Sequence, residues 1–115
     1  MIRTTDLHIA ININGTHVGS GLGKAHTMAV ATITDNTIVS WDEYEVGWDA
    51  LHGQGPEGTH HARIVRFMRE HNIDVVITGH MGAPMLNTIT KLGVKPVIDI
   101  IGDARQAALN VAATL

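Results

Sequence analysis

His80 is the residue whose surroundings in the sequence most favour binding chemistry. It lies in the segment Gly79-His80-Met81-Gly82, which follows the apolar run Val75-Val76-Ile77 and precedes Pro84. The apolar run predicts a strand buried on both faces, and Pro84 fits the first turn of a helix. Open α/β sheets bind ligands at such turns because N–H groups converge where a strand ends and a helix begins. We therefore predict a ligand site at this turn, with the His80 imidazole as its potential metal ligand.

Histidine is unusually frequent in this chain, with 8 among 115 residues. Cysteine is absent, which excludes disulfides, thiolate metal sites and cysteine-held iron–sulfur clusters. Any metal would therefore be bound through imidazole, carboxylate or thioether groups. The candidate metal ligands are His80, His61, His60 and His52, with His26 as an outlying candidate.

His60 and His61 are predicted to open a helix that precedes the strand leading to His80. Adjacent helical residues point in different directions, so at most one of the two is expected to face a given site. We expect the start of this helix to lie about a helix length from His80, unless the strand before the helix ends beside His80. Surface or loop histidines are the alternative interpretation of each candidate.

A second glycine-rich segment, Gly19-Ser20-Gly21-Leu22-Gly23-Lys24-Ala25, has some features of a phosphate-binding loop. A P-loop needs a glycine five residues before Gly23 and a hydroxyl residue after the lysine, but the chain has Val18 and Ala25 at these positions. The dinucleotide fingerprint also fails, because no glycine stands three residues after Gly23. We therefore do not predict nucleotide binding, and a flexible glycine loop at the sheet edge is the simpler interpretation.

The acidic residues and the overall charge exclude several classes of function. The aspartates lie mostly at strand starts or turns, and their spacing indicates neither a Ser-His-Asp arrangement nor a metal–carboxylate cluster, so we predict that the protein is not an enzyme. A net charge of -3 without a basic run argues against a nucleic-acid partner. No apolar segment is long enough to span a bilayer, so we expect no membrane partner and a cytoplasmic protein with a single domain, residues 1–115.

Hydrophobic patterns predict an α/β fold. Strands are expected at residues 7–14, 27–34, 37–46, 73–77 and 94–101, helices at 59–71, at 84–92 and after Gly102-Asp103, and a flexible loop at 47–59. The order is β-β-β-α-β-α-β-α. The first three strands should form an antiparallel meander and the last two should run parallel, because helical crossovers precede them. We expect one mixed sheet of about five strands with helices on its faces.

Four segments in this order resemble the nitrogenase iron–molybdenum cofactor accessory proteins, of the NifX and NifY type and the C-terminal domain of NifB. They are the opening strand 7–14, Ser20-Gly21-Leu22-Gly23-Lys24-Ala25, the histidine- and glycine-rich loop 47–61, and 75–82 followed by Ala83-Pro84. The resemblance covers about 7–115. It implies a truncated ribonuclease H-like fold and a protein that binds and carries a cluster without catalysis.

Two positions depart from the pattern of that family. The second segment commonly reads His-Phe-Gly, with the histidine as a candidate cofactor ligand, whereas this chain has Gly21-Leu22-Gly23. Conversely, the later Gly-Gly of the family is Gly79-His80 here. A site shifted to His80 is one explanation, and a lost site with an incidental histidine is the other.

The leading hypothesis is a non-catalytic, metal- or metallocluster-binding accessory protein. Main-chain N–H groups of both glycine segments would hold an anionic ligand, which makes the candidate cofactor-binding residues Gly21, Gly23, Lys24, Gly79, His80 and Gly82. The ligand would be an iron-containing cluster or a divalent metal ion. The alternative is a cofactor-free interaction module that forms a homo-oligomer or binds a protein partner through an exposed sheet edge or the Trp41/Trp48 region.

Overall fold

A computed structural model of the chain describes residues 6–51 and 59–115. The six strands are β1 (Leu7–Asn14), β2 (His17–Val18), β3 (Thr27–Thr34), β4 (Thr37–Glu45), β5 (Val75–Ile77) and β6 (Lys95–Val97). The four α-helices are α1 (Trp48–Leu51), α2 (Thr59–Glu70), α3 (Ala83–Lys91) and α4 (Ala104–Ala113), and a short 3-10 turn covers Leu22–Lys24. None of the described helices is long and apolar enough to cross a membrane.

The strands form one mixed sheet in the order β4-β3-β1-β5-β6, with β2 paired to β1 beside this path. β1 runs antiparallel to β3 and parallel to β5, and β5 runs parallel to β6. The β3–β4 hairpin closes through Asp35 and Asn36, both at positive φ, which matches the right-handed twist of the strands. The predicted meander and parallel strands are therefore confirmed. β6, which contains Pro96, lies at an edge as predicted.

Apolar side chains fill both faces of the sheet, giving a three-layer α/β/α domain. α2 and α3 cover one face with a cluster that includes Ala10, and α4 covers the other with a cluster that includes Ile9 and Ile11. Successive residues of a strand point to opposite faces, so β1 contributes to both clusters. β5 is buried along its whole length, as its run of β-branched residues predicts.

Three details of the prediction were wrong. The sheet has six strands rather than about five, because Gly15 at φ 64 reverses the chain and lets β2 pair with β1. The interval 47–59 is not entirely a loop, since α1 lies within it and Trp48 is buried against Phe67 with ring centroids 5.5 Å apart. The remainder of that interval, 52–58, lies outside the described residues. The predicted strand 94–101 shortens to β6, because the chain bends at Asp99, which has a φ of 63.

α1 is attached to the start of β3 by His26. Its Nδ1 lies 3.2 Å from Asp49 Oδ2, its Nε2 lies 3.5 Å from Glu45 Oε1, and Asp49 N donates to Ala25 O at 3.2 Å. The hydrogen bond with His26 lowers the pKa of Asp49 below its ordinary value of 3.8. His26 therefore joins β4 and α1 at the carboxyl edge of the sheet.

Two glycines let the segment before the 3-10 turn pack directly against the strands. Gly79 N donates to Gly19 O at 2.9 Å, and a Cβ at Gly79 would lie 2.8 Å from Ser20 O. A Cβ at Gly19 would lie 2.4 Å from Asn12 Oδ1. Both distances are too short for a carbon atom, so this contact exists only because neither residue has a side chain.

Replacing Gly79 by alanine should destabilise the protein, because the new methyl group would press against the main chain of Ser20. We expect the free energy of unfolding to fall by about 1–3 kcal/mol, the usual range for overpacking. Urea denaturation measures the change. Gly21→Ala is the matched control, because Gly21 has an extended backbone and no atom within 4 Å of its Cβ position. An equal loss in both variants would contradict the role of this contact.

His26→Gln should raise the pKa of Asp49 toward 3.8, because the charge-assisted hydrogen bond to its carboxylate is weakened. The lowered pKa in the folded state stabilises the fold above pH 3.8, and this contribution disappears as the pH falls through the pKa of the folded state. A carboxyl-carbon NMR titration measures the pKa directly. His17→Gln should leave it unchanged, because His17 contacts Thr16 instead. An unaltered Asp49 titration in His26→Gln would refute the assignment.

Candidate functional site

A cleft lies where the 3-10 turn meets the loop that follows β5. It has a volume of about 370 Å³ and is lined by Ser20, Gly21, Leu22, Gly23, Lys24, His80, Met81 and Gly82. Leu22 N donates to His80 O at 3.0 Å, so the two walls are joined through their main chains. Five of the six predicted cofactor-binding residues therefore line one cleft. The sixth, Gly79, lies behind it and donates its N–H to Gly19 O.

Alternation between buried and exposed side chains shapes both walls. Leu22 and Met81 are 0% and 5% exposed and belong to the apolar cluster under α2 and α3. Lys24 and His80 are exposed. The apolar residues thus anchor each wall, while an ammonium group and an imidazole are left accessible to a ligand.

The main chain at the cleft is suited to an anion. α3 begins after Gly82 with no side-chain cap, and Pro84 occupies its first turn. The three-residue 3-10 turn also starts without a side-chain cap, but its first N–H group, that of Leu22, is already bonded to His80 O, so α3 provides the free helix start. Helix starts carry a partial positive charge from unpaired N–H groups, and Lys24 adds a full one. None of the described residues that line the cleft is an aspartate or a glutamate.

His60 contacts the wall of the cleft. Its Nε2 lies 2.6 Å from Gly23 O. A carbonyl oxygen can only accept a hydrogen bond, so Nε2 carries the proton in this contact and has no lone pair for a metal. His60 thus supports the turn that lines the cleft.

The start of α2 was wrongly expected about a helix length from His80. β4 ends at Glu45 opposite Thr27, and Thr27 also pairs with Ile13 at the end of β1. His60, in the first turn of α2, also contacts Gly23 O, so α2 begins at this same edge of the sheet, where β5 leads to His80. This is the arrangement that the sequence left open as an exception.

The other predicted ligands do not gather around His80. His61 is half-buried on α2 and does not line the cleft, and His26 lines a different groove with its ring held by Asp49 and Glu45. His52 lies outside the described residues. Within residues 6–51 and 59–115, no group of three or more histidine, aspartate or glutamate side chains could hold a metal ion.

The groups that line the cleft fit one of the two predicted ligands, a divalent metal ion or a metallocluster, better than the other. A divalent ion such as Zn²⁺ takes three or four protein ligands in its usual sites, and the cleft offers one accessible imidazole. A preassembled anionic cluster brings its own ligands, so it needs one protein donor at most, together with N–H groups and a cation. The residues present fit such a cluster better than a bare metal ion.

Two polar residues behind the cleft were missed by the sequence reasoning. Asn12 and Thr78 are 2% and 0% exposed, and Asn12 Nδ2 donates to Thr78 Oγ1 at 3.1 Å. Thr78 Oγ1 in turn donates to His80 O at 3.4 Å. The sequence did contain one sign that Asn12 is buried. It lies two residues after Ala10, and residues two apart in a strand point to the same face of the sheet.

The Trp41/Trp48 region is not a single surface. Trp48 is 3% exposed and packs on the α2 face of the sheet, whereas Trp41 packs on the α4 face. Arg105 lies over the Trp41 ring, 4.4 Å from its centroid. The outer edge of β4 remains as the predicted interaction edge, because β4 is the terminal strand of the sheet.

Solved structures share this fold. PH0822 is 17% identical with a TM-score of 0.73, covering 91% of this chain and 92% of its own. The apo form of the orange protein from Desulfovibrio gigas is 19% identical with a TM-score of 0.71, covering 93% and 88%. MJ0327 from Methanocaldococcus jannaschii is 12% identical with a TM-score of 0.65, covering 96% and 90%. At these identities the likeness shows the fold alone.

Sequence comparison identifies the family. No curated protein matches the chain. The family profile described as dinitrogenase iron-molybdenum cofactor matches residues 6–114, almost the whole chain, and the protein therefore belongs to that family.

Proposed function

We propose that this protein is a non-catalytic accessory protein that binds and carries an anionic metallocluster in the cleft between the 3-10 turn and His80. The observation that carries the proposal is the composition of this cleft. It combines one accessible imidazole, one ammonium group and the uncapped start of α3, and no carboxylate lines it among the described residues. Membership of the iron-molybdenum cofactor family gives independent support.

Each part of the cleft would contribute a different interaction with the cluster. His80 would donate a lone pair to one metal of the cargo, and Lys24 would balance its negative charge. Gly21, Gly23 and Gly82 lack side chains, so the cluster can approach their main-chain N–H groups closely. His60 would act indirectly, by holding Gly23 and hence the wall of the cleft.

A single protein donor also suits a carrier. A cluster held by one imidazole and by hydrogen bonds can be released when one coordination bond breaks. A cage of several ligands would hold the cluster more firmly and delay its transfer. No group in the proposal has to act as an acid, a base or a nucleophile, in keeping with a carrier rather than an enzyme. The ribonuclease H-like relationship and the cytoplasmic location remain predictions of the same proposal.

His80→Ala should weaken cluster binding at least tenfold, because it removes the one accessible imidazole of the cleft. Isolated iron–molybdenum cofactor is a suitable probe, with molybdenum that co-elutes with the protein under anaerobic conditions as the measurement. His17→Ala is the matched control, because His17 is an exposed histidine outside the cleft. Equal retention of molybdenum by the two variants would refute the proposed site. Tighter binding of Zn²⁺ than of the cofactor would favour the bare metal ion instead.

The alternative function, a cofactor-free interaction module, is favoured by the outer edge of β4. Among the described residues this nine-residue strand pairs on one side only, and Val39 at its bulge is 58% exposed. Such an edge can accept a strand from another chain. If it does, the protein should form dimers in solution, and Val39→Lys should convert them to monomers by placing a charge in the pairing edge. Light scattering on both proteins measures the mass, and a wild-type monomer at high concentration would contradict self-association.

A further inference from the structure

The loop between β6 and α4 presents one isoleucine to solvent. Ile101 is 88% exposed, whereas its neighbour Ile100 is half-buried and packs against the apolar cluster that α4 covers. A single exposed apolar side chain is common on protein surfaces and by itself indicates nothing. Two further features distinguish Ile101 from such cases, namely the fixed backbone of its loop and the groove beside it.

Hydrogen bonds fix the backbone on both sides of Ile101. Asp99 N donates to Gly79 O at 2.8 Å, and Gly102 O accepts from Val18 N at 2.8 Å. Asp99 has a φ of 63 and Gly102 a φ of 95, so the isoleucine lies between two residues in the left-handed region. That conformation costs energy for a residue that has a side chain, as Asp99 does. The loop therefore holds Ile101 in one position outside the core.

A groove lies between this loop and α4. It has a volume of about 370 Å³, and the apolar part of its lining consists of Ile100, Ile101, Ala107 and Val111. Ala107 and Val111 are buried, so the groove has an apolar base, and Ile101 is the exposed apolar residue beside it. Such a groove can take up one apolar side chain of a binding partner, as pockets at the centre of protein interfaces do.

The charged side chains that line the groove are carboxylates. Asp99 and Asp103 line it, and no lysine or arginine does. Asp103 caps α4 by accepting from Gln106 N at 2.9 Å, whereas the Asp99 carboxylate has no ion pair or hydrogen bond in the described part of the chain. The neighbouring cation, Arg105, lies over the Trp41 ring instead. The groove is therefore complementary to a positively charged group.

We propose that this groove is a docking surface for another protein, one that presents a basic side chain next to an apolar one. The apolar side chain would enter the groove against Ile101, and the basic one would pair with the carboxylate of Asp99. A second copy of this chain is the poorer occupant, because a twofold contact would bring Asp99 and Asp103 close to the same carboxylates of the other copy. The inference does not depend on cluster binding, since none of the residues that line this groove lines the cleft beside His80.

A blocked peptide with the sequence Gly-Arg-Leu-Arg-Gly tests the proposal with the intact protein. In ¹⁵N–¹H spectra, this peptide should shift the main-chain signals of Ile101, Gly102 and Ala107 with a saturable dependence on concentration. Gly-Glu-Leu-Glu-Gly should give no saturable shift, because its charges are repelled by Asp99 and Asp103. Gly-Arg-Ser-Arg-Gly should bind at least tenfold more weakly, because it lacks the apolar side chain.

Ile101→Ser should weaken binding of the Arg-Leu-Arg peptide at least tenfold, because it removes the apolar contact. Val39→Ser, which changes an exposed apolar residue of β4, is the matched control and should have no effect. Asp99→Asn should weaken binding about two- to fivefold, the value of an exposed ion pair, since asparagine tolerates a left-handed φ but lacks the charge. Its control is Asp35→Asn, at another aspartate with a positive φ.

Each of four results would contradict the proposal. Equal losses in Ile101→Ser and Val39→Ser would overturn the site, and so would the absence of a saturable shift. Equal binding of the arginine and glutamate peptides would overturn the requirement for a basic partner. A wild-type dimer that Ile101→Ser converts to a monomer in light scattering would make a second copy the occupant, in place of a different protein.

Discussion

The close approach of Gly79 to the segment before the 3-10 turn is the constraint on which the candidate site depends. The Gly79 N–H reaches Gly19 O, and the absence of a side chain leaves room for the Ser20 carbonyl. This contact joins a segment from the first third of the chain to the end of β5. Leu22 then bonds to His80, and the cleft forms between them. A glycine at position 79 is thus required by packing, whatever ligand the cleft binds.

Local patterns predicted the framework and one part of the site. Alternation in β1, the two-residue Asp35-Asn36 turn and the buried run in β5 each specify their own element, so the sheet with its meander and parallel strands could be inferred. The resemblance to the iron-molybdenum cofactor accessory proteins is confirmed by the match over residues 6–114. Gly21, Gly23 and Lys24 lie beside His80, in agreement with the hypothesis that both glycine segments hold one ligand.

Long-range contacts could not be predicted, because no local pattern encodes them. The bond from His60 to Gly23 joins residues 37 apart, and it places a predicted ligand against the turn that lines the cleft. Asn12 looked like a polar residue of an alternating strand, yet it is buried because Gly19 packs on it. His26 was only an outlying metal candidate, and its ring is held by two carboxylates instead. In each case the position of the side chain depends on a residue that is distant in the sequence and that contacts it in the fold.

The pairing of β1 also determines when the cleft can exist during folding. β1 can pair with β3 early, since the intervening chain is short, but its parallel partner β5 must come from residues 66 positions away, as in Ile9 and Val75. Closing that long loop is a late step in the folding of a small domain. The two walls of the cleft belong to these separate halves, so a nascent or partly folded chain has no binding cleft. Under the proposed function, only the completed domain could take up a cluster.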